Sequence, residues 1–182
     1  MADAFASLVS SQKLLYRCAV MHIRPFIPAD AQALAELYHA AVHEIGIRDY
    51  SAAQVAAWSP QPKAAATYLE KAADRIFLVA VSNDGDPIGY GDLELNGHID
   101  HLYCRPDHVG SGVGAAICSA LEEAAEAQNI RFLFVEASEA ARRLFERRGY
   151  EMESRRDFEI DGVPIHNYRM SKRLGGIAQT AA

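Results

Sequence analysis

His98, Asp100, Tyr103 and Cys104 lie close together, and Val109-Gly110-Ser111-Gly112-Val113-Gly114 follows a few residues later. An imidazole with an ordinary pKa of ~6.5 suits a base near neutral pH. Three glycines at alternate positions leave backbone N–H groups unshielded by side chains. A helix starting at the loop adds its own unpaired N–H groups and the positive end of its dipole. Such a loop is an anion site, suited to a phosphate or pyrophosphate. The reading is a phosphorylated ligand held at the loop, with chemistry beside the strand that leads into it.

Other glycine-loop chemistries fit less well. A Walker A loop ends in Gly-Lys-Ser/Thr, whereas Gly114 is followed by Ala115-Ala116. A dinucleotide fingerprint is Gly-x-Gly-x-x-Gly near the start of a βαβ unit. Here the glycines are Gly110, Gly112 and Gly114, and three strands with antiparallel signals precede them. A tight turn without a ligand is the bland alternative.

The elements around the loop follow from hydrophobic period and turn chemistry. Val20 to Phe26 predicts a strand, and Asp30 is placed to cap the next helix. Leu34, Leu37, Tyr38, Ala41, Val42 and Ile45 recur at helical spacing up to Gly46. His39 and His43 sit one turn apart; a metal pair fits that spacing, but without a third ligand they read as solvated helix histidines. Ser51 and Gln54 form a capping box for a helix ending near Trp58. Trp58 reads as packing, or with its helix as the roof of a small-molecule pocket. Pro62 opens a further helix.

The period then changes to two. Strands are expected at Arg75–Ser82, Pro87–Leu95 and His98–Cys104, joined by Asp84-Gly85 and Asn96-Gly97 turns as a meander. In a regular third strand, His98, Asp100, Leu102 and Cys104 share one face, and His101 and Tyr103 the other; a bulge reshuffles this. After the loop, Val113, Ile117 and Leu121 mark an amphipathic helix. Arg131 to Ala137 reads as a strand buried on both faces, parallel to the strand before the loop. Ser138 caps a short helix ended by Gly149, and a hairpin around Asp161-Gly162 closes the chain.

At 182 residues, half of them hydrophobic and 23% charged, the chain suits one globular domain. The net charge of −6 argues against general nucleic-acid binding. Cys18, Cys104 and Cys118 are dispersed and odd in number, which argues against a disulfide framework and a structural zinc site. A reducing cytoplasm is the default location. No apolar run reaches the ~18 residues of a membrane span. The expected organisation is an extension at 1–20 that precedes the natural start at Met21 or is disordered, a domain at 21–174, and a flexible tail at 175–182. A homodimer is compatible with the sequence.

The combination resembles the GNAT N-acetyltransferase superfamily, whose signature Gln/Arg-x-x-Gly-x-Gly/Ala joins the fourth strand to the next helix. Here it falls on Val109 to Gly114. The resemblance covers about Met21 to Leu174 and includes Leu102-Tyr103-Cys104-Arg105-Pro106, the Ser138–Tyr150 helix and the final Asn167–Lys172 strand. It implies one α/β domain with a mostly antiparallel sheet, in which a parallel pair splays around the cofactor. It also implies acetyl-CoA as donor, no metal, and a primary amine as acceptor, on a small molecule or peptide. The pyrophosphate would lie on Val109, Gly110, Ser111, Gly112, Val113 and Gly114. Main-chain groups of Leu102 and Cys104 would bond the pantetheine and the thioester carbonyl, alongside Tyr103. Ser138 and Phe145 would border the same ligand. His98 falls where some members carry a base, with Asp100 to orient it or attract a cationic acceptor. Transfer would be direct, in a ternary complex, and Cys104 would serve packing.

Three departures matter. Val109 replaces the usual Gln/Arg. Ser138 stands where many members have Asn. Phe145 stands where many have the Tyr that protonates the leaving thiolate, and phenylalanine has no proton to give. Tyr103 or water would take that role. The alternative that Phe145 motivates is a non-catalytic acyl-CoA-binding regulatory module. Arg142, Arg143, Arg147 and Arg148 read as a solvated face, with a CoA phosphate contact as the minority reading.

Overall fold

One strand divides to serve two sheets, and that division creates the site. The computed structural model describes residues 21–175, so the expectations for 1–20 and for the end of the tail lie outside the described residues. The first sheet has the order β1 (Met21–Pro25), β2 (Ile76–Ser82), β3 (Pro87–Leu93), β5 (Leu102–Cys104), all antiparallel neighbours. The second has the order β4 (His98–Ile99), β6 (Phe132–Ala137), β8 (Val163–Arg173), β7 (Glu151–Ile160). There β4 and β6 are parallel, and the other pairs are antiparallel. The expected mixed α/β fold with a splayed parallel pair is what forms.

The expected single strand His98–Cys104 is broken at Asp100–His101. The His101 N–H donates to Asp92 Oδ1 at 2.8 Å instead of to a main-chain carbonyl. Asp100 is held by Lys71 and by Arg75 Nη1. The chain therefore leaves β6 after Ile99 and joins β3 from Leu102. The expected split of Leu102 and Cys104 from His101 and Tyr103 survives the break. Leu102 and Cys104 pack toward the core that contains Val113 and Ile117, while Tyr103 packs toward Tyr38 and Tyr90.

The helices are α1 (Ala31–Glu44), α2 (Ala52–Trp58), α3 (Ala65–Lys71), α4 (Val113–Ala127) and α5 (Glu139–Arg147). Helix α1 buries Leu34, Leu37, Tyr38, Ala41 and Val42, as its spacing predicts. Asp30 does not cap it through its side chain. Its buried carboxylate instead takes both Arg24 Nη atoms at 2.7 Å and accepts from Ile27 N–H at 2.9 Å. The Ser51/Gln54 capping box forms at α2. Helix α3 begins at Ala65 rather than at Pro62.

Helix α4 lies across the first sheet, burying Val113, Ile117, Cys118, Leu121 and Ala125. It approaches so closely that a Cβ at Gly89 would lie 2.7 Å from Val113 Cγ1. Strand β6 is not buried on both faces. Leu133, Val135 and Ala137 are buried, but Phe132 is exposed and Phe134 and Glu136 are only half-buried. That second face is covered by polar side chains rather than by a helix. The Arg169 guanidinium lies 3.8 Å from the Phe134 ring centroid, and the His98 ring stacks on it at 4.8 Å.

Candidate active site

Strand β5 has one unpaired edge, and the alternation of an antiparallel ladder decides which residues use it. Asp92 N–H donates to His101 O, and Arg105 N–H donates to Ile88 O. With Tyr103 opposite Tyr90, residues 101, 103 and 105 turn their main-chain groups toward β3. Leu102 and Cys104 must then turn theirs outward, into the gap where β5 parts from β6. That edge borders a cleft of about 380 Å³, lined on its other walls by α1, α5 and the glycine loop.

The loop closes the far end of this cleft. Gly110 and Gly112 have φ of +82° and +95°, where an L side chain is strained, and an added Cβ at either would meet nothing. Gly114 serves close approach instead: its Cβ would lie 3.2 Å from Leu144 and 3.3 Å from Cys104 Sγ. Ser111 Oγ donates to His108 O at 2.6 Å and tightens the turn. Val109 is exposed at the cleft mouth, and Val113 is buried beneath the loop. The loop thus presents backbone and no side-chain charge of its own.

A second cleft, of about 210 Å³, opens on the other side of Tyr103. Tyr50, Trp58, Tyr103 and Ser138 border both clefts, so the two meet there. The second cleft is the more polar, with Asp100, His101, Glu136, His166 and Asn167 on its walls. Several contacts fix the junction. Tyr50 OH donates to His166 O and accepts from Glu139 N–H, each at 3.1 Å. Ser138 Oγ accepts from Ala141 N–H and starts α5. His39 Nδ1 lies 2.9 Å from Ser59 Oγ and His43 Nε2 lies 2.8 Å from Ser59 O. Those two histidines, expected to be solvated, thereby hold the residue after Trp58.

Burial sets the protonation of the groups around the junction. The Tyr103 phenol is pushed well above its usual range by burial, then by neighbouring Tyr38 and Asp100, so it is a donor and not a phenolate. Burial pushes the Cys104 thiol up to about 12, which removes it as a thiolate nucleophile. The His101 imidazole is driven below its ordinary 6.5, chiefly by burial, and is neutral at physiological pH. Asp92 behind it is raised to about 6, by burial and then by Asp100. Asp92 Oδ2 and His101 Nδ1 are buried without hydrogen-bond partners among the described residues, 3.9 Å apart.

The structure brings Leu102, Tyr103, Cys104, Val109, Gly110, Gly112, Gly114 and Ser138 onto the first cleft. Asp100, with Tyr103 and Ser138, borders the second. Four of the expected residues line neither cleft: Ser111 and Val113 within the loop, and Phe145 and His98. Phe145 is fully buried, its ring 4.8 Å from that of Tyr150, and its neighbour Leu144 faces the cleft instead. His98 lies on β4 between Glu94 and Glu136, with Nε2 2.7 Å from Glu136 Oε2. It reaches the second cleft only through Glu136. Asp100 bonds Lys71 and Arg75 and does not orient His98. Sequence reasoning missed His101 and Glu136. His101 shares a face with Tyr103 as the alternation predicts, but its burial beside Asp92 has no local signal, and Glu136 sat within an apolar run.

Asp92, Asp100 and His101 offer ligand atoms within 4.8 Å of one another. Arg75 Nη1 already lies 3.6 Å from Asp92 and 3.2 Å from Asp100, and Lys71 also binds Asp100. Two cations in place make this a poor metal site. No helix among the described residues is long and apolar enough to cross a membrane.

Comparison with known proteins agrees with the geometry. Residues 47–172 match the family model described as an acetyltransferase (GNAT) domain. A crystal structure of a GCN5-related N-acetyltransferase from Rhodopseudomonas palustris shares 33% identity. It covers 86% of this chain and 98% of its own, with a TM-score of 0.79. The uncharacterized N-acetyltransferase YafP of Escherichia coli K12 is 29% identical over 150 residues, or 82% of this chain and 94% of that protein. YncA of Salmonella typhimurium, a putative acetyltransferase solved with acetyl-CoA, shares the fold. It has 21% identity and a TM-score of 0.66, over 90% of this chain and 99% of its own.

Proposed function

The chain belongs to the GNAT acetyltransferase family, and from that premise we propose that it moves the acetyl group of acetyl-CoA onto a primary amine by direct attack. The observation that carries this reading is the pair of clefts meeting at Tyr103 and Ser138, one along a free strand edge and one polar. The residues present suit the donor. Backbone N–H groups from Val109 to Gly114 receive its diphosphate. The outward main-chain groups of Leu102 and Cys104 pair with its extended arm as an added strand would. With phosphates at the loop, the thioester falls at the Leu102 end of β5, beside the second cleft. Leu102 N–H is there the donor for negative charge developing on the carbonyl oxygen.

The acceptor occupies the second cleft. Its ammonium loses a proton, its nitrogen attacks the carbonyl carbon, the C–N bond forms and the C–S bond breaks. Asp100, His101, Glu136 and His166 are the groups on those walls with an atom able to take the amine proton, directly or through water, and neutral His101 among them packs against the Tyr103 ring. Tyr103, kept protonated by burial, is the donor toward the departing sulfur, the role Phe145 lacks a proton to fill. His98 acts as a positioning residue, holding Glu136 at the cleft.

The test is release of free thiol from acetyl-CoA across a panel of primary amines. Turnover with at least one amine, reduced at least tenfold in His101→Ala, is expected. Binding of acetyl-CoA with no turnover on any amine would instead identify a non-catalytic acyl-CoA-binding module.

A further inference from the structure

Helix α5 and the residue that follows it carry four arginines, and three are already engaged. Arg142 pairs with Glu139 at 3.2 Å and Glu146 at 3.0 Å. Arg143 takes Asp49 with both Nη atoms, at 3.2 and 2.6 Å. Arg148 pairs with Glu122 at 2.9 Å. Arg147 has no carboxylate partner among the described residues, and it is the one of the four that borders the first cleft. Its place is the last turn of α5, facing the same opening as Gly110 and Gly112.

The mouth of that cleft is otherwise short of available charge. Val109 supplies an exposed apolar side chain. His108 borders the cleft, but its Nδ1 lies 2.8 Å from Asp107, which also takes Arg105 Nε at 2.7 Å. A loop of backbone N–H groups binds an anion more tightly when a cation closes the other side. A helix-dipole role alone would leave the Arg147 guanidinium without a partner at the point where an anion is expected.

We propose that Arg147 holds a phosphate group of the donor at the mouth of the cleft, supplying the charge that Val109 does not. This rests on the acetyl-CoA reading above. It assigns a residue on α5, remote in sequence from the glycine loop, to the same ligand.

The test compares wild type with Arg147→Gln, using acetyl-CoA kinetics and calorimetric titration of CoA. Arg155→Gln, on exposed β7 and paired with Asp157, controls for loss of one positive charge. The KM for acetyl-CoA should rise roughly 5–20-fold in Arg147→Gln, with kcat within about twofold and Arg155→Gln unchanged. Adding Val109→Arg to Arg147→Gln should restore much of the affinity. Dephospho-CoA, which lacks the 3′-phosphate, separates the two sources of phosphate: an undiminished effect assigns the diphosphate, and a lost effect the 3′-phosphate. Pantetheine has no phosphate, so its binding should not change. An unchanged KM in Arg147→Gln, or equal weakening toward pantetheine, overturns the proposal. Failure of wild type to bind CoA would overturn the acetyl-CoA reading itself, a distinct result.

Discussion

Replacing Gly89 with alanine should damage donor binding from the back of the site, without touching the cleft. The added Cβ would lie 2.7 Å from Val113 Cγ1, 2.8 Å from Ile117 Cδ1 and 3.1 Å from Tyr103 O. Carbon pairs settle at ~3.5–4.0 Å, so the first turn of α4 must move by about 1 Å. Val113 and Ile117 are buried, so neither side chain can swing into solvent. Overpacking of this kind costs ~1–3 kcal/mol, which lowers the Tm by about 2–12 °C in a domain of this size. Val113 directly follows Gly112, so the same movement displaces the loop N–H groups. A 1 Å displacement at a binding locus costs up to ~10²-fold in rate. Gly91→Ala is the matched control. Its Cβ would meet Ile117 Cγ2 at 2.8 Å and Leu121 Cδ1 at 3.0 Å, further along α4. Both variants should lose similar Tm, but Gly89→Ala should lose at least fivefold more CoA affinity by calorimetry. Equal affinity losses, or a Gly89→Ala protein indistinguishable from wild type, would refute the claim that this contact positions the loop.

Three further outcomes are expected. Phe145→Tyr should leave kcat unchanged or lower and should destabilise by about 1–3 kcal/mol in urea unfolding, because the added hydroxyl is buried against Tyr150; a gain in kcat would contradict this placement. His101 is buried neutral with its pKa below 6.5, so the unfolded chain binds more protons and His101 withdraws stability as pH falls from 6.5 toward its folded value. The Tm of His101→Gln should therefore fall less steeply than wild type over that window, and parallel curves would sink the assignment. Ser138→Ala should cost about 1 kcal/mol of stability through the lost bond from Ala141 N–H, read by urea unfolding, with no loss counting against that cap.

The glycine loop was legible because its causes are local. Gly110 and Gly112 need φ values that their own lack of a side chain permits, and the spacing alone announces it. The caps at Ser51 and Ser138 and the turn at Asp161-Gly162 were legible for the same reason. The break at Asp100–His101 was not, because its causes are distant in sequence. Asp92 captures the His101 N–H from a neighbouring strand, and Lys71 and Arg75 hold Asp100 from another part of the chain. That break parts β5 from β6 and fixes which main-chain groups face the gap. The apolar run at Phe132–Val135 likewise read as doubly buried, since nothing local says that Arg169 and His98 cover one side.

A donor that binds as an added strand on the free edge of β5 must form main-chain hydrogen bonds at Leu102 and Cys104. Amide hydrogen exchange of the full chain, with and without CoA, measures this residue by residue. Leu102 and Cys104 N–H should gain protection on binding, while Tyr103 N–H, already turned toward β3, should change little. CoA binding that leaves Leu102 and Cys104 exchanging as in the free protein would rule out strand-like binding of the donor on β5.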